Sequence, residues 1–94
     1  MTAGSGDLAA TRDEAFRVVR RHLSFLRPED TLSADASLRE LGLDSLAAID
    51  LLLDLEQTFG VVFPDKELTE ETFRTAANIA SAVVRLTAPV GSGQ

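Results

Sequence analysis

The chain has 94 residues, of which 45% are hydrophobic and 26% charged, and it contains no cysteine. This length favours one domain over two, and a core too small to enclose a substrate argues against an enzyme. Zero cysteines and one histidine exclude a disulfide framework and thiol chemistry, and they leave few routes to a zinc site or a serine–histidine triad.

The acidic residues are concentrated in one part of the chain. Residues 40–73 contain nine acidic residues and one basic residue, within an overall net charge of −6. Such a surface opposes contacts with nucleic-acid phosphates and predicts a partner that carries basic groups. No 18-residue apolar run and no basic-then-apolar leader is present, so we expect no membrane span, no secretory signal and a cytoplasmic location.

Both ends of the chain lack the pattern of a folded segment. Residues 1–6 and 89–94 are small and polar and show no periodicity, so we expect them to be disordered. The folded core of a single domain, residues 1–94, is therefore predicted to span about residues 8–87.

A first helix is predicted directly after the N-terminal segment. Thr11 and Glu14 have the spacing of a capping box, which marks a helix start. The apolar residues that follow recur at helical spacing as far as Pro28: Phe16, Val19, Leu23 and Leu26. We interpret His22, within this pattern, as an ordinary helix residue.

A long loop precedes the strongest predicted helix. Residues 27–43 contain proline, glycine and several serine, threonine and aspartate residues, with leucines at intervals. Residues 45–59 then contain neither glycine nor proline, Asp44 suits the cap at their start, and Gly60 suits their end. Loops of this length in compact domains are often functional, so the junction between loop and helix is a candidate site.

Two shorter helices are predicted in the remainder. Thr69, followed by Glu70 and Glu71, suits the start of a short third helix, and Thr75 can cap a last helix. The residues expected to face inward from that last helix are Ile79, Val83 and Leu86. The sequence thus predicts an all-α fold, a small four-helix bundle with a long loop between helices 1 and 2 and a short third helix.

Helical spacing gives the second helix two apolar faces. An arc of about 100° suits the core and comprises Ala48, Leu51, Leu52, Leu55 and Phe59. A neighbouring arc beside Ser45 holds three apolar residues with carboxylates among and around them: Leu46, Ile49, Leu53, Asp50, Asp54 and Glu56. Periodicity alone leaves two interpretations open, a wider core or a docking surface, and the serine at the first turn favours the docking surface.

Ser45 itself can be a cap, a solvated hydroxyl or a site of modification. A serine at a helix start is most often a cap, but Asp44 already suits that role. The free amides and positive end of the helix stabilise an added phosphate ester, which the charge of Asp44 opposes. Leu43 and Ala47 stand where a nucleophile elbow has glycines, so Ser45 is not predicted to be a catalytic nucleophile.

These residues resemble a known family. The segment Leu41-Gly42-Leu43-Asp44-Ser45-Leu46 resembles the phosphopantetheine attachment motif of acyl carrier proteins. Further segments resemble the family's pattern in order and spacing: Asp35–Leu38, Leu55-Glu56, Phe59–Val61 and Phe73–Thr75. The resemblance covers most of residues 11–86 and predicts a four-helix bundle of the acyl-carrier type.

The resemblance implies a cofactor and a set of partners. Ser45 would be esterified with 4'-phosphopantetheine from coenzyme A by a phosphopantetheinyl transferase, which Asp44 would help to engage. Acyl groups would then be carried as thioesters, and the chain itself would catalyse nothing. The helix face that successive enzymes recognise would comprise Leu46, Ile49, Asp50, Leu53, Asp54 and Glu56. The short third helix near Thr69–Phe73 would be a movable wall beside the cargo.

Departures from the family pattern bear on the pathway. Ala47 and Gln57 stand where many carriers of fatty-acid synthesis are acidic, so a specialised pathway is expected. The residues before Ser45 are of the acyl type rather than the peptidyl type, and the segment 63–73 is similar to that of small carriers of aminoacyl or unusual extender groups.

We therefore expect a discrete, monomeric carrier in polyketide or mixed polyketide–nonribosomal peptide biosynthesis. An acyltransferase or an adenylating ligase would load it, and a ketosynthase, acyltransferase or condensing enzyme would take the cargo onward. Two alternatives remain open. One is a peptidyl or aminoacyl carrier of a nonribosomal peptide pathway, and the other is an unmodified acidic helical adaptor for a basic partner.

Overall fold

A computed structural model describes residues 7–87, which form three α-helices and one short 3-10 helix. The elements are α1 (Asp7–Arg20), α2 (Ser45–Phe59), the 3-10 helix (Asp65–Glu67) and α3 (Ala76–Thr87). The all-α fold and the long connection between the first two helices confirm the predicted class. Within residues 7–87, no helix is long and apolar enough to cross a bilayer. The ends that we expected to be disordered lie outside the described residues.

The first helix begins before the predicted position. α1 starts at Asp7, so Thr11 lies inside the helix and the predicted capping box is wrong. Glu14, the other half of that predicted motif, instead binds Arg17 one turn along the helix, with an Oε1–Nη2 distance of 2.6 Å. A glutamate and an arginine three residues apart form an ion pair that stabilises the interior of a helix. Glu14 makes such a pair, so its position does not mark the start of the helix.

The same helix also ends earlier than predicted, at Arg20 rather than near Pro28. The amides of the next three residues donate to carbonyls three positions back, the tighter pattern in which helices commonly end. The Arg20 guanidinium donates to the carbonyls of Arg27 and Pro28 at 2.9 Å each, which ties the turned chain to the helix. His22 therefore lies in a turn beyond α1, and its assignment as a helix residue is wrong.

One core joins the helices and the long loop. α1 packs mainly against α3, and α2 closes the side of this pair. The largest side chains with almost no exposure are Val18, Val19, Leu38, Leu51, Leu55, Ile79 and Val83. Ile79 and Val83 are buried as predicted, and Leu86 packs partly buried against the core. The loop also contributes to the core, because its residues Leu32, Leu38 and Leu43 are buried.

Backbone hydrogen bonds fasten the loop to the segment before α3. The Leu38 amide donates to the Arg74 carbonyl at 2.9 Å, and the Ala77 amide donates to the Ala34 carbonyl at 3.0 Å. These bonds join parts of the chain about 40 residues apart. The loop that leads to Ser45 is consequently held both by its buried leucine side chains and by backbone hydrogen bonds.

The predicted short helix at Thr69–Phe73 is a series of turns, and the short helix lies earlier, at Asp65–Glu67. The segment makes one helix-like bond, from the Phe73 amide to the Thr69 carbonyl at 3.4 Å. A single such bond does not offset the cost of nucleating a helix. The predicted cap of the last helix is confirmed, because Thr75 Oγ1 accepts from the Asn78 amide at 3.1 Å.

Candidate functional site

Asp44 sets the start of α2, as predicted. Its backbone is extended, with φ −94° and ψ −173°, and its Oδ1 accepts a hydrogen bond from the Ala47 amide at 2.8 Å. The Asp44 carbonyl accepts from the Ala48 amide at 2.9 Å, which is the first bond of the helix. Ser45 is thus the first helical residue, and it is exposed. Its hydroxyl is not needed as a cap.

The backbone beneath Ser45 is held in place by the loop. Leu43 is 7% exposed, and its amide donates to the Leu38 carbonyl at 2.9 Å. Gly42 has a φ of +106°, and a Cβ there would lie 2.8 Å from the Ser24 amide nitrogen. Only glycine fits this close approach without a shift of the backbone. The residues that lead into α2 are therefore fixed on both sides.

The position of Ser45 suits a phosphate ester. The amides of the first helical turn have no acceptor within the helix, and they form its positive end. A phosphodiester on the exposed Ser45 hydroxyl would lie at this end, as anions do at helix N-termini. Asp44 opposes the added charge, but its carboxylate is exposed and hydrogen-bonded to Ala47, so solvent screens the repulsion. The residues present fit the group that the sequence motif implies.

The second apolar face of α2 points to solvent. Leu46 is 75% exposed, Ile49 55% and Leu53 50%. On the opposite face of the same helix, Leu51 and Leu55 are completely buried. The interpretation as a wider core is therefore wrong for these three residues. A row of exposed apolar side chains beginning next to Ser45 has the composition of a contact surface.

The three carboxylates predicted for that face have different surroundings. Asp50 is exposed beside the apolar row. Glu56 is half-buried, and its Oε2 accepts from the Phe63 amide at 2.8 Å, which fastens the segment after α2. Asp54 is also half-buried and binds the loop beyond α1. Two of the three predicted carboxylates thus make contacts within the chain.

His22 and Asp54 form a link between the end of α1 and the middle of α2. The His22 Nε2 and Asp54 Oδ2 atoms are 2.8 Å apart. An ionised carboxylate can only accept, so Nε2 carries the proton of this bond. The hydrogen bond from His22 lowers the pKa of Asp54, partial burial opposes this, and Arg21 and Thr58 lower the pKa further. The two residues are 32 positions apart, and no local signal in the sequence could have shown the pair.

The lowered pKa of Asp54 predicts a pH dependence of stability. Because the folded-state pKa is lower than the unfolded value of about 3.9, the carboxylate contributes stability above that pH. This contribution is lost as the pH falls through the folded-state pKa. We expect the free energy of unfolding, measured by urea titration, to fall more between about pH 5 and pH 2 in the wild type than in Asp54→Asn. His22→Leu should show the same reduced dependence, and an equal fall in all three proteins would contradict the pair's role.

Sequence reasoning did not single out Phe25. This side chain is 71% exposed, in the turn that follows α1. Its amide donates to the Leu41 carbonyl at 3.0 Å, which places it beside the segment that leads to Ser45. Phe25 falls outside the predicted apolar stripe of Phe16, Val19, Leu23 and Leu26, and only its contact with Leu41 shows that it lies beside the attachment segment.

The family of the chain follows from its sequence match. Residues 18–83 match the family model described as "Phosphopantetheine attachment site", which includes α2 and the segments on both sides. The chain belongs to this family, the phosphopantetheine-binding carrier proteins. It is thus a carrier of acyl or aminoacyl type rather than an enzyme, and the expected phosphopantetheine cofactor is confirmed at the level of the family.

Individual relatives carry names for two kinds of cargo. The chain is 30% identical over 86 residues to Aminoacyl carrier protein 2 of Bradyrhizobium diazoefficiens, which covers 84% of this chain and 93% of that protein. It is 36% identical over 58 residues to the anthracycline acyl carrier protein DpsG of Streptomyces peucetius, which covers 61% of this chain and 69% of that protein. These similarities establish the class of carrier and leave the cargo open.

A solved structure confirms the carrier-protein fold. The chain superposes with a TM-score of 0.67 and 28% identity, over 77% of its own length and 96% of the matched chain. That structure is of an engineered Bradyrhizobium japonicum glycine:[carrier protein] ligase complexed with a carrier protein from Agrobacterium tumefaciens and AMP. A carrier protein of this fold therefore forms a complex with a glycine:[carrier protein] ligase.

Proposed function

We propose that Ser45 is the residue of this carrier that accepts the phosphopantetheine arm. The observation that carries the proposal is the exposed Ser45 hydroxyl in the first turn of α2, released from capping by Asp44. The reaction forms a bond between Ser45 Oγ and phosphorus and breaks the pyrophosphate of coenzyme A. It releases adenosine 3',5'-bisphosphate and the hydroxyl proton. The bound arm supplies a thiol for thioester formation, and the chain has no cysteine of its own.

The mass of the intact protein tests this assignment. After incubation with coenzyme A and a phosphopantetheinyl transferase, the wild type should gain one phosphopantetheinyl group and Ser45→Ala none. Ser81→Ala, which removes an exposed hydroxyl on α3, should gain the group like the wild type. An unmodified wild type would instead support the acidic adaptor, and a modified Ser45→Ala would place the arm elsewhere.

We also propose that partner enzymes dock on the exposed face of α2, formed by Leu46, Ile49, Asp50 and Leu53. Apolar side chains beside a carboxylate suit a partner that has an apolar patch with basic groups around it. Asp44 lies at the end of this face where the arm is attached. Asp54 and Glu56 form its border, where their contacts within the chain hold α2 in position.

Reversal of one charge tests this docking face. Asp50→Lys should lower kcat/KM for arm attachment about tenfold, because it places like charges together across the contact. Helix content should remain unchanged, since Asp50 is exposed. Asp13→Lys changes the net charge equally, at an exposed position on α1, and should have little effect. Equal rates of arm attachment for both variants would argue against the docking face. Glu56→Lys would be a less clear test, because Glu56 also accepts a hydrogen bond from Phe63.

For the cargo, we propose an acyl or aminoacyl group of a specialised pathway, of polyketide or mixed polyketide–nonribosomal peptide type. The similarity to the anthracycline carrier supports a polyketide acyl group. The similarity over nearly the whole length of an aminoacyl carrier, and the fold shared with a carrier bound to a glycine ligase, support an aminoacyl group. The second candidate implies loading by an adenylating ligase rather than an acyltransferase.

The mass of the loaded carrier separates the two candidates. The arm-bearing protein is incubated with ATP, glycine and a glycine:[carrier protein] ligase, and in parallel with malonyl-coenzyme A and a malonyl acyltransferase. An aminoacyl carrier should gain a glycyl group in the first reaction only, and a polyketide carrier a malonyl group in the second only. The same variants of Asp50 and Asp13 serve as controls for docking in either reaction.

A further inference from the structure

Phe25 is an exposed aromatic side chain that the structure holds beside the attachment site. Its ring is 71% exposed, but its backbone is fixed by the hydrogen bond to Leu41 at 3.0 Å. A Cβ on Gly42 would lie 3.0 Å from the Phe25 amide nitrogen, so the backbone at Gly42 and the backbone at Phe25 are in direct contact. The backbone that carries the ring is therefore fixed, and the ring itself is not part of the core.

The distance from Phe25 to Ser45 is limited by the chain between them. The Gly42 contact places the Phe25 nitrogen within about 4.5 Å of the Gly42 Cα, and three further residues reach Ser45 over at most about 11 Å. The Phe25 nitrogen thus lies within about 16 Å of the Ser45 Cα. A protein interface of standard size covers about 800 Å² on each partner, which is a circle of about 16 Å radius. A contact centred on Ser45 consequently reaches Phe25.

The enzyme that attaches the arm needs a contact of this kind. Its target, Ser45 Oγ, is only about 2.4 Å from the Cα, so the enzyme surface must lie directly against the residues around Ser45. Enzymes that act on the thiol reach it through the arm and need not cover the same area. Glu40 and Asp44, in the segment that leads into α2, are exposed carboxylates that suit an enzyme with basic groups around an apolar pocket.

We infer that Phe25 is a recognition residue for the transferase that attaches the arm to Ser45, an inference that rests on the function proposed above. Its ring inserts into an apolar pocket of the enzyme, and aromatic side chains are enriched among the residues that dominate binding energy at interfaces. Leu46, at the first turn of α2, supplies a second apolar contact on the other side of the junction.

Steady-state kinetics of arm attachment test this inference. Phe25→Ala should lower kcat/KM about tenfold or more through KM, with kcat unchanged, and Phe25→Leu should recover most of the loss. Val62→Ala is the matched control. Val62 is 78% exposed and follows the opposite end of α2, a helix about 21 Å long from Ser45 to Phe59. The melting temperatures of all variants should equal that of the wild type, since neither side chain is buried.

Two results would overturn the inference in distinguishable ways. Unchanged kinetics of Phe25→Ala, or an equal loss in Val62→Ala, would overturn the role of Phe25 and leave Ser45 as the attachment site. A wild-type protein that takes up no arm would overturn both this inference and the proposed function.

Discussion

Leu51→Ala is expected to lower the free energy of unfolding by about 3 kcal/mol and the melting temperature by about 12–24 °C. Leu51 is completely buried on α2 and is among the largest side chains of the core. Its truncation removes apolar contacts and leaves a cavity that the surrounding helices fill only in part. A domain of this length has a total stability of about 5–14 kcal/mol, so the variant should lose between about a fifth and three fifths of its stability.

Leu46→Ala is the matched control for this prediction. It makes the same chemical change in the same helix, but Leu46 is 75% exposed, so the loss should be below about 0.5 kcal/mol. Urea titration of both variants, followed by circular dichroism, measures the difference. Similar losses in the two variants would mean that α2 buries both faces, which would contradict the docking face.

Gly42→Ala is expected to destabilise the chain by about 2–4 kcal/mol. An alanine at a φ of +106° is strained, and its Cβ would lie 2.8 Å from the Ser24 nitrogen, which is backbone and cannot rotate away. The change should also slow arm attachment by more than the decrease in the folded fraction accounts for, because the segment before Ser45 must shift.

Gly60→Ala separates the strain at Gly42 from the close contact there. Gly60 also has a positive φ, of +65°, but a Cβ at this position meets nothing within 4 Å. We expect a loss of only about 1 kcal/mol and a wild-type rate of arm attachment. If both glycine variants behaved alike in stability and rate, the packing of Ser24 and Phe25 against Gly42 would not support the site.

The features that the sequence predicts correctly depend on neighbouring residues. α2 begins after Asp44 and ends before Gly60, as predicted. The N-cap and the C-terminal glycine with a left-handed backbone both depend only on residues within one turn of the helix. Helical spacing also predicts the two apolar faces of α2, and the serine at the first turn favours the correct one as the exposed face. The attachment motif likewise lies in six consecutive residues, so the candidate serine could be identified without a structure.

The features that the sequence does not predict depend on distant residues. The link between His22 and Asp54 and the contact of Phe25 with Leu41 join segments that are far apart in the chain. The bond from Phe63 to Glu56 spans only seven residues, but it depends on the turn that follows α2 and makes a predicted docking carboxylate a support of the fold. Residues 69–73 have local capping signals but form turns, because so short a segment does not offset the cost of nucleating a helix.

Peptide mapping of the modified protein tests the central claim most directly. Trypsin cleaves after Arg39 and Lys66, and the peptide 40–66 contains two hydroxyl residues, Ser45 and Thr58. We expect the phosphopantetheinyl mass on this peptide, and fragmentation should assign it to Ser45. The mass on Thr58, on another peptide, or on no peptide after complete incubation with transferase and coenzyme A would contradict the assignment of Ser45 as the attachment site.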